Sequence, residues 1–279
     1  MNLRFHRDRS PLAIAPTLAK LAAVLAAVAV TSAPLNLHAK EPTVSKPTVV
    51  LVHGAFAESS SWNEVVARLL VKGHPVVAVA NPLRGLKSDS GYLSSIIDSI
   101  TGRVILVGHS YGGSVISVAA SGKTNVDALV FVSGLAPDVG ETASMLVGKY
   151  PGSTLGPTLA PPVTLADGSK DLYIQQNKFH AQFAADLPAH TAKVMAATQR
   201  PIIAAAFDEP SGAPAWKSIP SWFLYGSLDK NIPPAVHAFM AQRANARKIV
   251  EVKGASHVVM MSHPDALMKL IEAAAQATN

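Results

Sequence analysis

The sequence predicts an α/β protein: a doubly wound, mainly parallel six-stranded sheet interrupted once by a helical lid insertion. Three observations carry that expectation. Short β-branched runs recur, each trailed by a segment with helical apolar spacing. The alternation stops once, between about Pro137 and Pro220, and then resumes. Between them lies Arg103 to Gly113, R-V-I-L-V-G-H-S-Y-G-G, where a continuous apolar run enters a glycine-flanked serine turn.

In chain order, Thr48 to Val52 reads as a strand that ends in His53-Gly54-Ala55-Phe56. From Ser59 to Lys72, Trp62, Val65, Val66, Leu69 and Leu70 keep helical spacing, and Gly73 stops the helix. Val76 to Ala80 is a second strand, closed by Asn81-Pro82, and Tyr92 to Ile100 is a helix ended by Gly102. Val104 to Val107 is the central strand, followed by a helix from Tyr111 to about Ser121 and a strand from Ala128 to Val132.

The irregular stretch is rich in glycine and proline, with helical patches at Gln176 to Asp186 and Ala189 to Thr198. An insertion of this kind between strands reads as a lid over the carboxyl ends of the sheet. Regularity returns with the strand Trp222 to Tyr225, the turn Gly226-Ser227-Leu228-Asp229 and a helix from Ala235 to Ala246. A strand from Lys248 to Val252, a loop carrying His257 and a helix from Pro264 to Ala275 complete the pattern, with no internal repeat.

Composition narrows the function classes. Hydrophobic residues make up 49% and charged residues 15% of the 279, and the formal net charge is +6. Half of that excess sits on Arg4, Arg7, Arg9 and Lys20 against Asp8. No Lys/Arg cluster interleaved with aromatics follows, which excludes a nucleic-acid partner. Cysteine is absent, so disulfides, thiolate catalysis and thiolate metal sites are excluded as well.

Residues 1–39 have the layout of a secretory signal: a basic leader, an apolar stretch from Leu21 to Val30, and small residues before a cut after Ala39, although Leu37 departs from the small residue preferred there. Lys20 keeps the apolar run well below the roughly 20 residues that span a bilayer, so no stable membrane span is expected. The expected organisation is a signal at 1–39, a tether at 40–47 and one domain at 48–279 with its lid at about 138–219. An exported product follows, periplasmic or extracellular.

Ser110, Asp229 and His257 each fall just after a predicted strand, which places all three on one rim of the sheet. A serine hydroxyl becomes a nucleophile when a base takes its proton, His257 suits that base, and Asp229 suits the group that orients it. Asp138, after the strand before the lid, competes with Asp229 for that part. His53 and His109 read as structural hydrogen-bonders, His263 as a helix lead-in, His180 and His190 as lid residues and Glu251 as a surface charge.

Four segments in this order, H-G-A-F at 53–56, G-H-S-Y-G-G at 108–113, Y-G-S-L-D-K-N-I-P-P at 225–234 and K-G-A-S-H-V-V-M at 253–260, resemble the α/β-hydrolase superfamily. Within it they are most similar to the small lidded esterases that include plant methylesterases and hydroxynitrile lyases. The resemblance covers about Thr48 to Ala275 and implies an α/β-hydrolase fold that lacks the leading antiparallel strands. It implies Ser110 as nucleophile, Asp229 as orienting acid and His257 as base, with the N–H groups of Tyr111 and Ala55, or Phe56 in place of Ala55, as oxyanion hole.

The implied enzyme is a carboxylic ester hydrolase acting on a small to medium neutral ester, with no metal and no cofactor. Hydroxynitrile lyases of the group carry a lysine after the catalytic histidine and a threonine at the glycine of H-G; here those positions are Val258 and Gly54. Phe56, Tyr111, Leu135, Phe179, Phe183 and Met261 are candidate substrate-binding residues, with Trp62 and Met195 as further apolar candidates near the rim or in the lid. The same scaffold also suits a lactonase, a C–C hydrolase, a cofactor-free oxygenase, a perhydrolase, or a ligand receptor that retains the triad.

Overall fold

The computed structural model describes residues 45–278. The signal at 1–39 and most of the tether therefore lie outside the described residues. Its central sheet has six parallel strands, in the spatial order Val76–Val79, Thr48–Val52, Val104–His109, Val126–Val132, Ser221–Gly226 and Lys248–Val252.

Strand β1 (Thr48–Val52) leads through a tight turn at Ser59–Trp62 into helix α1 (Asn63–Val71). Sequence spacing predicts one helix from Ser59. The first four residues instead wind as a tighter turn, with Ser61 N donating to the Glu58 carbonyl at 2.9 Å and the Ser61 hydroxyl accepting from Glu58 N at 3.4 Å. Strand β2 (Val76–Val79) and helix α2 (Leu86–Asp98) follow.

Helix α2 begins six residues before the expected Tyr92, because the Glu209 carboxylate accepts from the N–H groups of Leu86 and Lys87 at 2.5 and 3.1 Å. That cap comes from the insertion, 123 residues away, and satisfies donors a helix start leaves open. Strand β3 (Val104–His109), helix α3 (Tyr111–Ala119) and strand β4 (Val126–Val132) form the centre, and β3 is buried along its whole length. A strand covered on both faces needs an unbroken apolar run, which Val104 to Val107 supplies.

Between β4 and the next sheet strand runs the insertion. It holds helix α4 (Ala143–Val147), the short strands β5 (Val163–Thr164) and β6 (Lys170–Leu172), helices α5 (Gln176–Phe183) and α6 (Ala189–Thr198), and strand β7 (Ile202–Ile203). The three short strands make an antiparallel sheet that the helical reading of this region did not include. Runs of two or three residues are too short to leave a period-two signature.

Strand β8 (Ser221–Gly226), helix α7 (Pro234–Arg243), strand β9 (Lys248–Val252), the short helix α8 (Val259–Ser262) and helix α9 (Pro264–Ala277) end the domain. Strand order reverses between β1 and β3, whose carboxyl ends meet where Val52 pairs with Gly108. Ligands of doubly wound sheets bind at such a reversal. No helix among the described residues is long and apolar enough to cross a membrane.

Candidate active site

Ser110 stands at the corner between β3 and α3 with φ 54° and ψ −126°, a left-handed conformation that costs a non-glycine residue about 1–3 kcal/mol. Neighbouring backbone holds it there: Ser110 N donates to Val132 O at 3.2 Å, and Ser110 O accepts from Gly113 N at 2.9 Å and Leu135 N at 3.0 Å. Glycine is required on both sides. A Cβ at Gly108 would lie 2.6 Å from the Gly112 carbonyl oxygen, and one at Gly112 would collide with the carbonyl of Val52.

The two far segments of the chain meet beside this corner. Asp229, in the loop after β8, has a fully buried carboxylate. Its Oδ1 accepts from the N–H groups of Asn231 and Ile232 at 2.8 and 3.0 Å, and its Oδ2 accepts from Nδ1 of His257 at 2.7 Å. A second imidazole, His237 Nε2 on α7, also reaches Oδ2, at 3.2 Å. Burial pushes the Asp229 carboxyl up, but the two imidazoles more than reverse this, and it sits well below the usual carboxylate range.

With Nδ1 committed to Asp229, the other ring nitrogen of His257 points away from the carboxylate. That Nε2 is buried and has no hydrogen-bond partner among the described residues. Asp138 lies elsewhere, on the surface, where the Lys217 ammonium holds its carboxyl below the usual range.

Two other histidines pack behind the site. His53 Nε2 accepts from Asn81 N at 3.1 Å, which leaves Nδ1 to donate to the Gly54 carbonyl at 2.9 Å. Burial lowers its pKa to about 4. His109 Nε2 lies 3.2 Å from the His257 carbonyl, and burial, followed by the nearness of His257, holds the His109 imidazole well below its ordinary value.

Backbone donors flank Ser110. Tyr111 is the first residue of α3, so its N–H has no partner within the helix. Phe56 N donates to the Arg200 carbonyl at 3.0 Å, whereas Ala55 N has no backbone partner among the described residues. Tyr111 Oη donates to Oδ2 of the buried Asp89 at 3.0 Å.

A cavity of about 180 Å³ opens onto Ser110 and His257, and Ala55, Phe56, Tyr111, Leu135 and Phe183 also line it. Its remaining walls come from positions that sequence reasoning missed, among them Val147, Leu155, Leu159 and Phe207 of the insertion and Asn231 and Ile232 after Asp229. The insertion residues sit where periodicity fails, so no local pattern marks them. Asn231 and Ile232 had a signal, as backbone donors two and three residues beyond a buried aspartate.

Phe179 and Met261 do not line this cavity. Phe179 sits one helical turn before Phe183, with ring centroids 4.9 Å apart, and only the last turn of α5 reaches the cavity. Met261 is half-buried on α8, packed against the core. Trp62 and Met195 are likewise absent from the wall. Phe183 bridges the insertion to the site, its ring edge-on to His257 at 5.0 Å and to Phe56 at 6.3 Å. Among the described residues no group of three or more His, Asp or Glu side chains gathers as metal ligands would.

Residues 49–270 match the model of the alpha/beta hydrolase family. An alpha-hydroxynitrile lyase of Arabidopsis thaliana is 27% identical over 248 residues, 81% of this chain and 96% of that protein. Salicylic acid-binding protein 2 of Nicotiana tabacum is 24% identical over 245 residues, 78% of this chain and 93% of that protein. The crystal structure of polyneuridine aldehyde esterase superposes with a TM-score of 0.71 at 19% identity, covering 82% of this chain and 99% of that one.

Proposed function

The chain belongs to the alpha/beta hydrolase family, and we propose that it hydrolyses a small neutral carboxylic ester through an acyl-enzyme formed on Ser110. One observation carries the reading: Asp229 holds His257 by Nδ1 at 2.7 Å, which leaves Nε2 buried and without a partner among the described residues, and His257 and Ser110 line the same cavity.

His257 Nε2 takes the Ser110 hydroxyl proton as Oγ bonds to the ester carbonyl carbon. The carbonyl oxygen becomes an oxyanion and accepts from the N–H groups of Tyr111 and Ala55, each such donor being worth about 3 to 4 kcal/mol of transition-state stabilisation. Ala55 is favoured over Phe56 because the Phe56 N–H is already given to Arg200. Collapse breaks the ester C–O bond, and the alkoxide leaves with the proton from His257. Water then gives its proton to Nε2, attacks the acyl group and releases the acid as Ser110 regains its hydrogen.

Substrate size and polarity follow from the wall. About 180 Å³ lies below the roughly 300–1,000 Å³ of pockets for drug-sized ligands. Among the described residues no Lys, Arg, Asp or Glu lines the cavity, so none of them offsets the desolvation of a charged substrate. Val258 and Gly54, at the positions where the resembling lyases carry lysine and threonine, favour ester hydrolysis over cyanohydrin cleavage. Residues 1–39 serve, in this reading, as an export signal removed after Ala39, which places the enzyme in the periplasm or the medium.

A fluorophosphonate added to protein recovered from the exporting host tests both parts by intact mass. One adduct on Ser110, absent from Ser110→Ala and reduced in His257→Ala, is expected on a chain that begins at Lys40. Ester hydrolysis that survives Ser110→Ala refutes the mechanism.

A further inference from the structure

A second histidine reaches the carboxylate that holds His257. His237 is fully buried on α7, and its Nε2 stands 3.2 Å from Oδ2 of Asp229. That is the oxygen to which His257 Nδ1 donates at 2.7 Å, while the other oxygen is occupied by the N–H groups of Asn231 and Ile232. Two imidazoles therefore share one carboxylate oxygen.

The direction of His237 is set by packing. Its ring stacks on Tyr225 with centroids 5.0 Å apart and planes 19° apart, which aims Nε2 at the carboxylate. Nδ1 is buried with no partner among the described residues. The Nε2–H tautomer thus leaves no N–H unpaired, whereas a proton on Nδ1 would be a buried donor without an acceptor.

We propose that His237 is a positioning residue of this site: it holds the Asp229 carboxylate toward His257 and takes up part of the negative charge that would otherwise draw a proton onto the His257 imidazole. The proposal rests on the reading of Asp229 and His257 as the pair that serves Ser110. A carboxylate oxygen that accepts two hydrogen bonds offers less charge to each donor.

The other titratable groups around the pair are placed otherwise. From β3, His109 meets the His257 carbonyl, with His53 behind it. From β8, the Tyr225 phenol, itself acted on by Glu251 of β9, stacks on His237. Lys230 turns its ammonium to the Ala181 carbonyl. From the insertion, Asp186 takes the Ser256 hydroxyl and lies 3.8 Å from His263. Among the described residues none of these donates to Oδ2 of Asp229.

Nitrogen-15 NMR of the histidine side chains in the purified protein tests this without an enzymatic assay. In the parent protein His237 is expected as the Nε2–H tautomer. His237→Leu, and His237→Asn whose amide is too short to reach Oδ2, should raise the His257 titration midpoint by about half a pH unit or more. His237→Gln brings an amide N–H to the place of Nε2 and should hold the midpoint within about 0.2 units of the parent.

An Nδ1–H tautomer for His237 in the parent overturns the proposal, a reading that needs no variant to fold. So does an unmoved midpoint in a folded Leu or Asn variant, or a Gln variant that shifts as far as Leu. Should the midpoint move as expected while Ser110→Ala still hydrolyses esters, the reading of the reaction fails and the sharing of Asp229 stands.

Discussion

The phenol of Tyr111 donates to Oδ2 of Asp89 at 3.0 Å, which ties the residue after Ser110 to helix α2. Asp89 is fully buried, and burial raises both its carboxyl and the Tyr111 phenol above their ordinary values. The contact fixes the first turn of α3, whose leading N–H is the proposed oxyanion donor.

Tyr111→Phe removes that hydrogen bond without changing the ring. A loss of about 1–3 kcal/mol in stability is expected from a buried carboxylate deprived of a donor, together with a fall in kcat/KM. Urea unfolding and p-nitrophenyl acetate kinetics measure the two. An unfolding midpoint and a rate both equal to the parent's would show that the phenol anchors nothing.

Asp229→Asn keeps the shape of the side chain but removes the charge that, in the proposed mechanism, steadies His257 when it takes a proton. A fall in kcat of about four orders of magnitude is expected at neutral pH, as for other triads that lose this charge. A fall of less than tenfold would give the orienting part to another group.

Gly54 has no room for a side chain. A Cβ there would lie 2.6 Å from the Ser110 Cβ and 2.7 Å from the His109 carbonyl oxygen, so Gly54→Ala must move the serine corner. Displacement of a reacting group by about an ångström costs on the order of 100-fold in rate. Kinetics with a small ester should show that loss mainly in kcat; an unchanged kcat would mean the corner gives way elsewhere.

His53 makes stability depend on acid. Burial lowers its imidazole from the ordinary 6.5 to about 4, opposed by the Gly54 carbonyl and the Glu58 charge and aided by the Arg200 charge. Above pH 6.5 the ring is neutral in both folded and unfolded chains. Between 6.5 and about 4 the unfolded chain binds a proton that the folded one refuses, so stability falls as pH falls, by up to about 3 kcal/mol from this group. His109, shifted in the same direction, adds to the slope. Urea unfolding from pH 7 to 4 should show a shallower decline for His53→Gln, and a decline as steep as the parent's would contradict the assignment.

Much of the architecture was legible because its causes are local. Strands buried on both faces need continuous apolar runs, and Val104 to Val107 is one; a corner that forces its central residue to positive φ needs glycine two residues away on each side, and Gly108 and Gly112 are those glycines. The order of Ser110, Asp229 and His257 along the chain, each just past a strand, follows from the same alternation.

Contacts between distant segments carried no such signal. The start of α2 depends on Glu209, the engagement of the Phe56 N–H on Arg200, and the hold on Asp229 on His237 as well as His257. Which phenylalanine of α5 faces the cavity was likewise decided by how the insertion sits on the sheet, with Phe183 at the wall and Phe179 behind it. Periodicity records which face of an element avoids water; it does not record which other element covers that face, and the polar partners at this site are chosen by that covering.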